Sequence, residues 1–194
     1  MKRSSIAIAA ALALCAASAT QAHLVDMTGT FAPEANGATG TGSLFLEWDI
    51  DGHTLWIDAT FAGLSGNTTQ SHIHCCTAIP FTGTSGIALA TNGNLPGFPL
   101  GVKAGHYQRL IDLSLASSYS VSFLGGAGGT PALAETKLMD GLTAGKAYMN
   151  IHTQTFGGGE IRSFVTVVPE PATYGMMALG LAGLGGVLRR RRSS

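Results

Sequence analysis

The strongest chemical signal in this 194-residue chain is His72-Ile73-His74, joined much later by His152. Residues two apart on a strand share a face. His72 and His74 therefore point together, opposite Ile73. In the run 147–152, Tyr148, Asn150 and His152 share a face opposite Met149 and Ile151. If the isoleucines face the core, the three imidazoles lie on outer faces and can converge. Three neutral imidazoles around an open position suit zinc or copper. A purely structural reading stands beside this one, because strand histidines also hydrogen-bond loop carbonyls and carboxylates.

Cys75-Cys76 follows the His-x-His string directly, and the only other cysteine is Cys15. Adjacent Cα atoms lie about 3.8 Å apart across a trans peptide, less than the usual disulfide span of about 4.4–6.8 Å. A bond between the two would be a redox-labile clip. The alternatives are soft metal ligands, an intermolecular disulfide, or two thiols with one buried. No standard zinc spacing fits, so the vicinal disulfide or partial burial is preferred. Gly145-Lys146 lacks the rest of a phosphate loop, and no nucleophile elbow or zinc-protease helix is present. No catalytic residue is assigned, no cofactor beyond copper or zinc is suggested, and the chain reads as a non-enzyme. Asp49, Asp51 and Asp58 cluster around one hairpin, where turn chemistry explains them as well as calcium does.

The elements that must carry these groups are short apolar and β-branched runs separated by Gly, Asn, Pro and Thr. This pattern predicts an all-β antiparallel sandwich with one short helix. The clearest part is a hairpin over 43–50 and 54–61, turning at Asp51-Gly52. Leu55, Ile57, Ala59 and Phe61 face one way. Further strands are predicted at 70–75, 86–90, 118–124, 147–152 and 161–167. Residues 29–42 read as a leading loop and 91–105 as a surface loop. Thr130 caps a helix with Pro131 at its first position and Gly141 at its end.

Both extremities read as transit signals. Lys2 and Arg3 precede an apolar run and small residues, which predicts a signal peptide over 1–22. At the other end, Pro169-Glu170-Pro171 precedes an uncharged stretch over 172–188. Arg189, Arg190, Arg191 and Arg192 then act as a membrane stop on the cytoplasmic side. Seventeen residues give roughly 26 Å of helix, short for a hydrocarbon core of about 30 Å. The body, 23–167, is left outside the inner membrane. It carries five basic against ten acidic residues, about −5 with histidine neutral. That charge disfavours nucleic acid, whose binding rests on neutralised phosphates.

The tail over 168–194 resembles the PEP-CTERM sorting signal. The resemblance implies export, an inner-membrane anchored intermediate, and processing by signal peptidase and then an exosortase. A second resemblance covers roughly 40–167. Gly63-Leu64 with Ser71-His72-Ile73-His74 comes first. Gly141-Leu142, Gly145, Tyr148-Met149-Asn150-Ile151-His152-Thr153 and Gly158-Gly159-Glu160-Ile161-Arg162 follow. This series is similar to the CHRD domain, which implies an extracellular β-sandwich without established catalysis. The resulting expectation is a structural or adhesive protein of the cell surface or extracellular matrix. Its partners are then extracellular polysaccharide or other surface proteins. The alternative is a metal-binding or redox-active exported protein using His72, His74 and His152.

Overall fold

The computed structural model describes residues 23–34, 37–90 and 93–169. The expected signal peptide, most of the sorting tail and the anchor over 172–188 lie outside these residues. Among the described residues, no helix is long and apolar enough to cross a membrane.

Nine strands form one antiparallel sheet that curls around a single core. They are β1 (Leu24–Pro33), β2 (Thr41–Asp49), β3 (Thr54–Ala62), β4 (Thr68–Cys75), β5 (Ile87–Leu89), β6 (Gly105–Asp112), β7 (Ala147–Thr153), β8 (Ile161–Phe164) and β9 (Thr166–Val167). Their spatial order is β5-β4-β7-β8-β1-β2-β3-β6, with β9 also paired to β1. β1 makes the curl possible. Most of its length pairs with β2, while Ala32 and Pro33 at its end pair with Arg162 and Ile161 of β8. One strand thus serves both halves of the sheet.

The core follows from strand alternation. Leu44 and Leu46 from β2, with Leu55, Ile57, Ala59 and Phe61 from β3, are buried as the hairpin pattern predicts. Ile73, Met149, Ile151 and Ile161 enter the same cluster from the other half. Asp49 holds the hairpin turn by accepting from the backbone N–H groups of Asp51 and Gly52. His106 and Gln108 bond Asp58. These carboxylates are engaged in turn and cross-strand contacts.

Three expectations need correction. First, β1 and β6 are strands that the sequence pattern does not predict: β1 runs into the expected leading loop over 29–42, and β6 begins at Gly105, the last residue of the expected surface loop. Second, residues 118–124 are not a strand. The Ser120 hydroxyl accepts from Phe123 N and caps a helix, α1 (Val121–Gly126). A local side-chain cap outcompetes β propensity there, and Val121 stays 89% exposed. Third, the helix that starts after Thr130 passes through Gly141. It is α2 (Pro131–Thr143), capped by the Thr130 side chain accepting from Leu133 N. Gly145, at φ +67°, turns the chain out instead, the left-handed position that helix ends favour. Gly141 sits inside α2 for a packing reason. A Cβ there would run into the sulfurs of Cys75 and Cys76.

Candidate functional site

β4 and β7 lie side by side and present their second face away from the aliphatic core. Cross-strand register sets His72 opposite Asn150, His74 opposite Tyr148 and Gln70 opposite His152. The three histidines converge, with one ring nitrogen from each lying within 4.8 Å of the others. The His72 and His152 ring centroids are 4.6 Å apart, and those of His72 and His74 are 5.2 Å apart. This face is the outer one, as alternation requires, yet it is not open. The segments 76–86 and 154–160 fold over it, so His72 and His152 are only 3% and 7% exposed.

Those two covering segments orient the rings. The His74 Nδ1–H donates to the Ser85 carbonyl at 2.9 Å. The His152 Nδ1–H donates to the Gly157 carbonyl, also at 2.9 Å. A carbonyl only accepts, so the Nε2 of each neutral ring is left with its lone pair. His74 Nε2 accepts from the Nδ1–H of His72 at 3.2 Å. His152 Nε2 is buried and makes no hydrogen bond. Burial, then the nearby His152 and His74, depress the His72 pKa to about 4. Burial lowers His74 as well, against the opposing pull of the Ser85 carbonyl. Both rings therefore stay neutral near pH 7, the form that ligates metals.

A ring of aromatic and charged groups frames the cluster. Tyr148 stacks on His74 with centroids 4.9 Å apart. The Arg162 guanidinium lies over both Tyr148 and Phe164, at 5.3 and 5.2 Å. It donates to the Gly83 carbonyl at 2.7 Å and reaches Glu34 Oε1 at 3.3 Å. Burial raises the Glu34 carboxyl above its ordinary pKa, outweighing the attraction of Arg162 and His152. Glu34 escaped the sequence reading because it lies just past β1, in a segment read as loop. Met27 and Phe31, four apart and both buried, were the available sign of a strand there. Glu160 and Arg162 lie two apart in sequence but do not pair with each other. Instead Glu160 accepts from Ser65 N, Ser65 Oγ and Thr153 Oγ, and Arg162 belongs to Glu34.

The remaining histidines lie elsewhere. His53 bonds Glu135 at 2.8 Å beside Trp48, which donates to the other oxygen of the same carboxylate. His106 belongs to Asp58, and His23 stands 3.5 Å from Asp51. Cys75 and Cys76 are joined by a disulfide, with a cis peptide between them and Cα atoms 3.0 Å apart. Cys75 points into the core and both sulfurs lie against α2, on the side opposite His74. The disulfide therefore removes the cysteines from the ligand set considered for the histidines.

Comparison with known proteins accounts for both parts of the chain. The PEP-CTERM protein-sorting motif matches residues 167–192. That motif implies an exported protein, held in the membrane as an intermediate and processed by an exosortase. Neither the curated proteins nor the solved structures give a match. The CHRD domain matches residues 20–165, three-quarters of the chain, and with the His-x-His strand and its β7 partner in place the chain belongs to the CHRD domain family.

Proposed function

We propose that the protein is a non-catalytic component of the cell surface or extracellular matrix, with the CHRD domain as its payload and the tail as its address. The observation that carries this reading is the junction between the two. β9 ends at Val167, and the Val168 N–H still donates to Asp26 O at 2.8 Å. The sorting motif begins at that same point. Domain and tail abut, so an anchored domain stands close against the membrane until the tail is cut. β1 is the direct partner of β9, with Met27 opposite Val167. Removal of a signal peptide near residue 22 therefore frees a new end beside the anchor point and leaves the sheet intact. The acidic, lysine-poor body favours solubility outside the cell. Extracellular polysaccharide or other surface proteins are the partners this reading supplies.

Mass spectrometry of the protein recovered from its native host, with and without the exosortase, tests the proposal. The expected mature chain begins near His23, ends close to Pro169-Glu170-Pro171, and is found in the surface or extracellular fraction. Without the exosortase, a longer membrane-bound form accumulates. Recovery of the uncut chain from the cytosol in both strains defeats the reading.

A further inference from the structure

Unpartnered buried polar atoms gather around the three imidazoles. Among the described residues, the buried side-chain nitrogens and oxygens lacking a hydrogen bond include Glu34 Oε2, Ser85 Oγ, Asn150 Oδ1 and His152 Nε2. All four belong to one neighbourhood. Asn150 is the cross-strand neighbour of His72. Ser85 supplies the carbonyl that holds His74. Glu34 is tied to Arg162, which covers the Tyr148 ring stacked on His74. Buried polar groups are otherwise almost always satisfied. Several at one place, around three converging imidazoles, point to a ligand that binds there.

We propose that His72, His74 and His152 form a binding site for one late first-row divalent metal ion, copper or zinc. The ion takes Nδ1 of His72 and Nε2 of His74 and His152. The spacing fits. Ligand atoms about 2.0–2.1 Å from a tetrahedral ion lie about 3.3–3.4 Å from one another, and His72 Nδ1 stands 3.2 Å from His74 Nε2. The third nitrogen needs only a small ring movement, since all three already lie within 4.8 Å. The outer nitrogens of His74 and His152 are tied to backbone carbonyls, the arrangement that fixes ring orientation and raises basicity in metal-binding histidines. Metal replaces the His72–His74 hydrogen bond, and the His72 ring proton transfers through solvent to its own Nε2. The Glu34 carboxylate supplies nearby negative charge, within electrostatic reach of His152. An all-nitrogen set selects copper and zinc over calcium or magnesium, and copper(II) over zinc in affinity. With three protein ligands, one position stays open for a fourth donor.

The full chain is purified in detergent, stripped with chelator, and dialysed against copper(II) or zinc(II) alone. Elemental analysis is expected to give one ion per chain. Copper(II) electron paramagnetic resonance is expected to show coupling to imidazole nitrogen. The variants H72A, H74A and H152A are each expected to weaken binding by about 100-fold or more, while H106A leaves it unchanged. Should an alanine variant fail to fold by circular dichroism, ¹⁵N-histidine NMR of the unaltered chain decides. Zinc must then shift the imidazole nitrogens of His72, His74 and His152 together. Failure to retain an ion, an affinity unchanged in H152A, or imidazole signals that ignore zinc would each overturn the site.

Discussion

His152 carries a buried, unpartnered Nε2, and its ring lies 4.6 Å from the ring of His72 between centroids. The Gly157 carbonyl holds the opposite side of the same ring, so the bare nitrogen cannot simply rotate out toward water. An unsatisfied buried polar group costs about 1–3 kcal/mol. On the metal site proposed above, the fold carries that cost until an ion binds, so the pairing of these two histidines trades stability for binding.

The trade can be measured with His152→Leu. The substitution removes the bare nitrogen but also one hydrogen bond, and the two effects oppose each other. Metal-free stability is expected to stay within about 1 kcal/mol of the unaltered chain. Zinc at 100 times its dissociation constant is expected to stabilise the unaltered chain by about 2.7 kcal/mol and to leave the variant unmoved. Thermal melts with and without zinc give both numbers. Equal zinc stabilisation of the two chains counts against the assignment.

Gly159 is the backbone position that lets the Glu34 side of the site close. Its φ is +126°, and a Cβ there would approach Glu34 Oε2 and Asn150 Nδ2 to 2.6 Å. Gly159→Ala is expected to cost about 1–3 kcal/mol through the strained backbone conformation, with further loss from displacing Asn150. Chemical denaturation checks it. A similar change at Gly158, where a Cβ meets open space, is expected to cost less than about 1 kcal/mol.

Arg162 and Glu34 are predicted to behave as one unit. The guanidinium loses its carbonyl contact, its two ring contacts and its ion pair together in Arg162→Met, and Glu34 is left largely buried without its counter-charge. A loss of about 2–4 kcal/mol follows. Glu34→Gln alone is milder, and the double variant recovers part of the loss. A double-mutant cycle from denaturation data is expected to return a coupling of about 0.5–3 kcal/mol. Strict additivity would remove Glu34 from the account of Arg162.

How much of this was legible beforehand depended on the range of the interaction. The hairpin of β2 and β3 could be read because Leu44, Leu46, Leu55 and Ile57 alternate cleanly around a local turn. The shared face of His72 and His74 followed from strand period alone. Glu34 did not, because it meets Arg162 through the pairing of Ala32 with Arg162, a contact between distant segments. Nor did the carbonyls of Ser85 and Gly157, since a backbone group leaves no residue signature. The segment around Val121 misled for the opposite reason. Its Ser120 cap is a purely local device, and it overrode a β-like composition. Polar, threonine-rich alternation hid β1, and a run of exposed polar side chains hid β6, where only Tyr107 and Ile111 are buried.

Glu160 gives the pH prediction. It is fully buried. Burial alone raises its carboxyl pKa, but hydrogen bonds from the Ser65 backbone, the Thr153 hydroxyl and the Ser65 hydroxyl outweigh that and hold it below the usual range. A carboxyl whose pKa is lower in the folded chain binds protons less readily than in the unfolded one. Its contribution is complete above the unfolded value of about 4.3 and is lost as pH falls through the folded value. Stability is therefore expected to decline as the medium is acidified from about pH 5 toward pH 3. In Glu160→Gln, one oxygen becomes an amide donor facing other donors. The variant is expected to lose about 1–3 kcal/mol at pH 7 and to show a shallower acid limb, because the proton-linked part has gone. Urea titrations across this range decide between them. An acid slope equal to that of the unaltered chain would mean that other carboxyls carry the acid sensitivity and that Glu160 is a packing residue only.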